Sequence, residues 1–269
     1  MSVTTRTTSH PVLTTPTDAA PGSAYGDRWA EVYDDLYDGR DTIPAVVDFI
    51  RRWAQPASVL ELGVGTGRLA IPLAAAGMHV VGVDNSEAML ARLRAKPGGD
   101  AVDGRLADMT DPPTDRTYGC VLIAFSTLYL LADQNTQRRC IQAAADRLAP
   151  GGALIIEGFI PDPDRWHNGH SLHVEQWDSG HVTMNVGRLD AAAQTIDTLR
   201  VTQTSDGTQV IPNRLRYLLP AELDLIAEHT GLGLAGRYGD LAGRPIGSQP
   251  TSHVSVYTRP ETAAATTRR

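Results

Sequence analysis

The chain has 269 residues, a formal net charge of −7, a mean hydropathy of −0.20 and two cysteines. An acidic balance with no basic stripe excludes nucleic acid as the substrate, and no apolar run is long enough to span a membrane. Cysteines without disulfide or metal spacing, and no apolar leader segment, point to the reduced cytoplasm.

Residues 1–24 are rich in Thr, Ser and Pro and poor in large apolar side chains, as are residues 260–269. Such compositions do not offset the entropy of ordering, so both ends are expected to be mobile tails. Between them, Trp29, Tyr33, Leu36 and Tyr37 recur at helical spacing and predict a short amphipathic helix. That helix would either cover a sheet edge or close over a ligand, with its tyrosines offering ring faces and hydroxyls. A second amphipathic helix is predicted over 42–53, with Val46, Val47, Phe49, Ile50 and Trp53 facing inward.

Val59–Leu60–Glu61–Leu62 then runs into Gly63, Gly65 and Gly67, followed by a helical pattern to Ala76. This reads as a parallel strand, a tight turn and a helix N-terminus, where bare backbone and unpaired N–H groups meet a ligand. A dinucleotide site would need a further glycine where Arg68 stands. Glu61 would also repel a pyrophosphate and attract a cation, so a ligand with an ammonium and a carboxylate fits better.

His79–Val83 predicts the second strand, with Asp84 at its carboxyl end, near the spacing at which an acidic side chain reaches ribose hydroxyls. Ser86 caps the next helix, which contains Met89, Leu90 and Leu93. Strands are predicted over 101–107 and 118–124, the first leading to Asp108–Met109 and the second to Phe125–Leu130. Ligands in open parallel sheets bind outside the carboxyl ends of the strands, so Tyr129 is expected to look into a substrate pocket. A helix over 133–148 closes at Ala149–Pro150–Gly151–Gly152, and residues 153–158 supply a fifth buried strand.

The glycine turn E-L-G-x-G-T-G, Asp84, Asp108–Met109 and the L-x-P-G-G stop stand in an order that resembles class I S-adenosylmethionine (SAM) dependent methyltransferases. Y-D-D-L-Y-D-G-R is similar to the lid of bacterial small-molecule methyltransferases of the natural-product and amino-sugar type. The resemblance covers residues 25–160. It implies an α/β fold with a doubly wound, mostly parallel seven-stranded sheet, SAM as cofactor and S-adenosylhomocysteine as product. It places Tyr37, Arg40, Glu61, Gly63, Gly65, Asp84, Asn85, Met89, Asp108 and Met109 around the cofactor. Tyr33 falls where a tyrosine lines the active site of those enzymes.

After Ile160 the character changes. Alternating segments at 172–177, 181–189, 195–203 and 209–218, with turn signals at Ser179–Gly180 and Asp206–Gly207, predict an antiparallel insertion over the ligand-binding rim. A helix at 220–229 and an antiparallel pair at 234–238 and 253–257 complete the sheet. The domain reading is therefore a core with its lid at 25–160, an insertion at 161–219 and the remainder of the core at 220–259.

Methyl transfer from a sulfonium needs an aligned nucleophile, excluded water and, for some acceptors, a base. Tyr33, Tyr129 and Glu157 are the catalytic candidates, and Tyr25, Phe159, Trp166, His173 and Arg216 the substrate-binding ones. Arg214 and Arg216 share a strand face and could anchor an acidic group, or simply be solvated. His167, His170 and His173 have poor metal spacing for a strand, and no metal is assigned. The expected acceptor is a small natural-product molecule methylated at an amine, a phenol or an indole carbon. The alternatives are a nicotinamide-dependent oxidoreductase and a SAM-binding protein without catalysis. Neither a membrane nor a nucleic-acid partner is expected, and a homo-oligomer is left open.

Overall fold

The computed structural model describes residues 23–34, 43–113 and 116–259. Residues 1–22 and 260–269, expected as tails, lie outside the described residues, as do Leu36, Tyr37 and Arg40.

The fold grows outward from β1 (Ser58–Leu62). Period-two alternation sends Leu60 and Leu62 to one face of the sheet and Val59 and Glu61 to the other. β1 pairs in parallel with β2 (His79–Asp84) on one side and β4 (Tyr118–Ile123) on the other. β3 (Val102–Leu106) and β5 (Leu148–Phe159) extend the two wings, again in parallel. β11 (Ser252–Thr258) lies antiparallel between β5 and β10 (Gly233–Tyr238), giving the order β10-β11-β5-β4-β1-β2-β3. Chain order reverses between β1 and β4, the place where an open α/β sheet leaves a crevice at its carboxyl edge.

Helices cover both faces. α2 (Ile43–Trp53), α3 (Ala70–Ala75) and α4 (Glu87–Ala95) bury Phe49, Ile50, Leu73, Leu90 and Leu93 against Val59, Val80 and Leu122. α5 (Gln134–Asp146) and α6 (Pro220–His229) bury Ile141, Leu223 and Ile226 against Leu60, Val121 and Ile156. Each such fully buried side chain is worth about 1.5–3 kcal/mol against exposure.

Three boundaries differ from the sequence expectation. The helix after the glycine turn begins only at Ala70, because Gly65 and Gly67 take left-handed φ values of 54° and 82°. The long helix ends at Asp146, and Pro150–Gly151–Gly152 falls inside β5, where the pairing with β4 shifts register. α1 (Ser23–Trp29) ends in a turn over residues 30–32, and Tyr33 and Asp34 are helical again after it.

The insertion is a four-stranded antiparallel sheet, β6 (His170–Trp177), β7 (His181–Asp190), β8 (Thr195–Thr204) and β9 (Gly207–Arg216), paired in sequence order. β9 runs along the crevice. Its Ile211 packs with Trp29, Ala30 and Met89 in a small separate core that joins the insertion to α1 and α4.

Candidate active site

A cavity of about 290 Å³ opens at the switch point, lined by residues from the ends of β1, β2 and β3, from the segment after β4, and from α1 and β9. The structure brings Tyr25, Tyr33, Gly63, Gly65, Asp84, Asn85, Met89, Asp108 and Met109 together on its wall, with Arg214 and Arg216.

The glycine turn is held by β2. Gly63 and Val64 donate backbone N–H bonds to the Val83 carbonyl at 2.7 and 3.0 Å. The Asp84 carboxylate spans the gap, accepting from the Gly65 amide at 2.8 Å and the Ser86 amide at 2.9 Å. Burial pushes the Asp84 carboxyl up, opposed by those amides and that of Asn85. The two glycines have different duties. At Gly63 (φ 79°) a Cβ would stand 2.2 Å from Cγ2 of Thr127, whereas at Gly65 (φ 54°) it would meet nothing within 4 Å among the described residues. Gly65 is thus bare backbone on an open wall, shaped for close approach of a ligand.

Glu61 is not on that wall. Strand alternation points it beneath the turn, 4 % exposed, where the Ala70 amide bonds it and its Oε2 has no partner among the described residues. Burial first, then the charge of Asp84, push its carboxyl up to about 8, against the Ala70 amide. A folded-state value raised from the ordinary range contributes stability that is fully present below the unfolded value. That contribution is lost as pH rises through 8. Ligand-free protein is therefore expected to lose unfolding free energy between about pH 5 and 8, at up to about 1.4 kcal/mol per unit. Glu61→Gln should flatten that slope; an unchanged slope in denaturant titrations would reject the assignment.

At the other end of the cavity, Asp108 caps its own turn, accepting from the Thr110 amide at 2.8 Å through Oδ1. Met109 and buried Met89 supply apolar surface on either side.

The N-terminal segment is fastened over the cavity by two carboxylates that sequence reading missed. Ser86 Oγ, which caps α4 by accepting from the Met89 amide at 3.2 Å, donates to Asp27 at 2.6 Å. Gly26 makes room for that contact, since a Cβ there would lie 2.4 Å from Ser86 Cβ. Asp34 accepts from Thr66 Oγ1 at 2.6 Å and from Lys96 Nζ at 2.7 Å. Burial works against ionisation of Asp34, but Lys96 and Thr66 prevail and hold its carboxyl below the ordinary value. No local signal marks these pairs, because the partners lie 32 to 62 residues apart.

Several expected site residues serve elsewhere. Tyr129 is fully buried rather than on the rim, with its hydroxyl bonded to the Leu218 carbonyl at 2.8 Å. Glu157 spends its carboxylate on the Phe125 amide at 2.7 Å, bracing Phe125 and Ser126, both of which have left-handed φ values (54° and 58°). Burial raises its carboxyl, while Phe125 N–H and the Arg68 charge oppose the rise. Phe159 packs edge-on against Tyr129, and Trp166 packs beneath β7 at Gly187. His173 is exposed on β6, opposite Asn185. Arg216 touches the cavity, but its guanidinium is occupied by Glu222 at 2.8 Å and Gln137 at 2.7 Å. An acidic substrate would have to compete with a carboxylate already in place. Among the described residues, no group of His, Cys, Asp and Glu side chains could hold a metal ion. Nor is any described helix long and apolar enough to cross a membrane.

The comparisons with known proteins agree with this architecture. The methyltransferase-domain family matches residues 59–152, from β1 into β5. Cypemycin N-terminal methyltransferase from Streptomyces sp. is 28% identical over 214 residues, covering 75% of this chain and 83% of its own. The CcbJ methyltransferase structure from Streptomyces caelestis is 34% identical, covers 89% of this chain and 99% of its own, and superposes with a TM-score of 0.82. SAM-bound CalS10, an amino pentose methyltransferase from Micromonospora echinaspora, is 25% identical, covers 85% and 97%, and gives a TM-score of 0.66.

Proposed function

The chain belongs to the SAM-dependent methyltransferases, and from that premise we propose that it methylates an amine nitrogen of a small natural-product acceptor. The observation that carries this reading is what the cavity lacks. Among the described residues lining it there is no histidine, glutamate, lysine or cysteine, and its two carboxylates, Asp84 and Asp108, stand at the ends of β2 and β3. A phenol or an indole carbon needs proton removal during transfer, whereas a neutral amine already presents its lone pair. Relatives point the same way: one is an N-terminal methyltransferase, another an amino pentose methyltransferase.

The cofactor fits the residues present. Bound SAM supplies a methyl group on a sulfonium, which leaves by in-line displacement. The open wall at Gly65 would receive its amino-acid portion, and a positive charge held there would favour ionisation of Glu61 beneath the turn. Asp84 would hold the ribose, and Asn85, Met89, Asp108 and Met109 the adenine. Tyr33 and Tyr25 close the cavity from the N-terminal segment, where ring faces favour positive charge and exclude water. An oxidoreductase reading finds Arg68 where a dinucleotide turn needs glycine.

The test is a mass-resolved screen of amines, phenols and indoles with SAM-loaded enzyme. Amines alone are expected to gain a methyl group. Their kcat/KM should climb with pH until the acceptor's own pKa is passed, and that limb should move when the amine is changed. Preferential turnover of a phenol or an indole, or a limb that stays fixed across amines, would overturn the proposal.

A further inference from the structure

Beneath the cavity lies a buried polar chain that the chemistry above does not use. Tyr129, His253 and Ser255 are all fully buried. Arg237 Nε lies 3.0 Å from Ser255 Oγ, which lies 2.9 Å from His253 Nδ1. His253 Nε2 lies 3.3 Å from Tyr129 Oη, which in turn lies 2.8 Å from the Leu218 carbonyl and 3.3 Å from that of Phe159. Room for the junction comes from Gly158, where a Cβ would fall 2.2 Å from Tyr129 Oη and 3.0 Å from His253 Nε2.

The ends of this chain fix its direction. Arginine only donates and a carbonyl only accepts. Arg237 therefore donates to Ser255, Ser255 to Nδ1 of His253, Nε2–H of His253 to Tyr129, and Tyr129 to the Leu218 carbonyl. Reversing the imidazole would turn the single Tyr129 proton toward Nε2 of His253 and take it from the Leu218 carbonyl, the shorter contact at 2.8 Å, in a place too buried for water to compensate. Arg237 is itself held by Asp224 at 2.5 Å, and Asp224 also accepts from Tyr257 at 2.6 Å. His253 is kept neutral by burial and then by the Arg237 charge, which outweigh Asp224 and push its pKa down to about 4.

We propose that His253, in its Nε2–H form, is a positioning residue that sets the acceptor-facing wall of the cavity through Tyr129. Tyr129 sits in the turn Thr127–Leu130, whose Thr127 and Leu130 line the cavity together with Leu131. Leu218 stands two residues beyond β9, which contributes Pro212, Asn213 and Arg214. One phenolic oxygen thus joins the return of the insertion to the segment after β4. The assignment of that wall to the acceptor rests on the proposed function; the tautomer and the strut do not.

Nitrogen-15 NMR of histidine-labelled protein is expected to show Nε2 of His253 protonated and Nδ1 bare, unchanged down to about pH 5. An Nδ1–H form, or titration near the ordinary histidine value, would overturn the strut. His253→Leu is expected to speed amide exchange at 127–131 and 216–218 and to leave 63–67 and SAM affinity unchanged. With an amine returned by the screen, its KM is expected to rise by up to about 100-fold, as misplacement of a reacting group allows. His253→Gln, which can still donate to Tyr129, should recover most of the loss. Should His253→Leu fail to fold, Tyr129→Phe removes only the hydroxyl and should give the same exchange pattern. Uniform exchange changes across the chain, or equal weakening of SAM and amine, would reduce His253 to a structural residue. If no amine is a substrate, the NMR and exchange results still decide the strut separately.

Discussion

Asp84→Ala is expected to raise the Kd for SAM and for S-adenosylhomocysteine about 100-fold, which corresponds to about 2.7 kcal/mol. The carboxylate accepts from two backbone amides, those of Gly65 and Ser86, and so ties the glycine turn to the start of α4. Hydrogen bonds to a charged group are worth roughly 1.5–3 kcal/mol each, and their loss leaves two donors on a partly buried wall without an acceptor. The truncation therefore removes both the proposed ribose contact and the brace that shapes the turn. Asp84→Asn keeps one accepting oxygen and should lie between the two proteins. Calorimetry on all three, with circular dichroism to confirm folding, decides the matter; wild-type affinity in Asp84→Ala would remove Asp84 from the site.

A paired substitution in the turn should separate stability from binding. Gly63→Ala is expected to cost about 3 kcal/mol of unfolding free energy, because a left-handed φ and a 2.2 Å approach to Thr127 act together. Among the described residues, Gly65→Ala meets no atom within 4 Å and carries only the backbone cost, roughly 1 kcal/mol. Its methyl group would instead occupy space on the ligand side, so SAM affinity should fall about tenfold at nearly normal stability. Denaturant titration and calorimetry on the same two proteins measure both quantities. Equal loss of stability in the two variants would mean that the turn is strained as a whole and not divided between packing and binding.

Much of the sheet was legible because its signals are local. Alternating burial, the three glycines and Ser86 at a helix start each act over a few residues, and the strands and the cap appear where they were expected. The turn signals at Ser179–Gly180 and Asp206–Gly207 likewise located the hairpins of the insertion. What the sequence hid depends on pairing across distance. Tyr129 leaves the end of β4 as an aromatic should if it faces a ligand, yet its hydroxyl finds a carbonyl 89 residues away and turns inward. Glu157 has the burial of a tuned base, but a strained amide 32 residues earlier claims it. Arg216 shares its strand face with Arg214, and only the folded chain shows Glu222 beside it. Asp27 and Asp34 carry no local signal, because their partners Ser86, Thr66 and Lys96 lie 32 to 62 residues away.

The wall of the cavity is drawn unevenly from the chain. The part assigned to the cofactor comes from one continuous stretch, Gly63 to Met109, while the rest comes from three separated pieces at 25–33, 127–136 and 212–216. A lineage descending from such a protein can therefore change what it recognises by altering a hairpin, an N-terminal segment or one short turn, each reachable by point mutation or by exchange of a gene fragment. The stretch that keeps the methyl donor need not change with them. Copies that differ in those three pieces can share one donor-binding stretch.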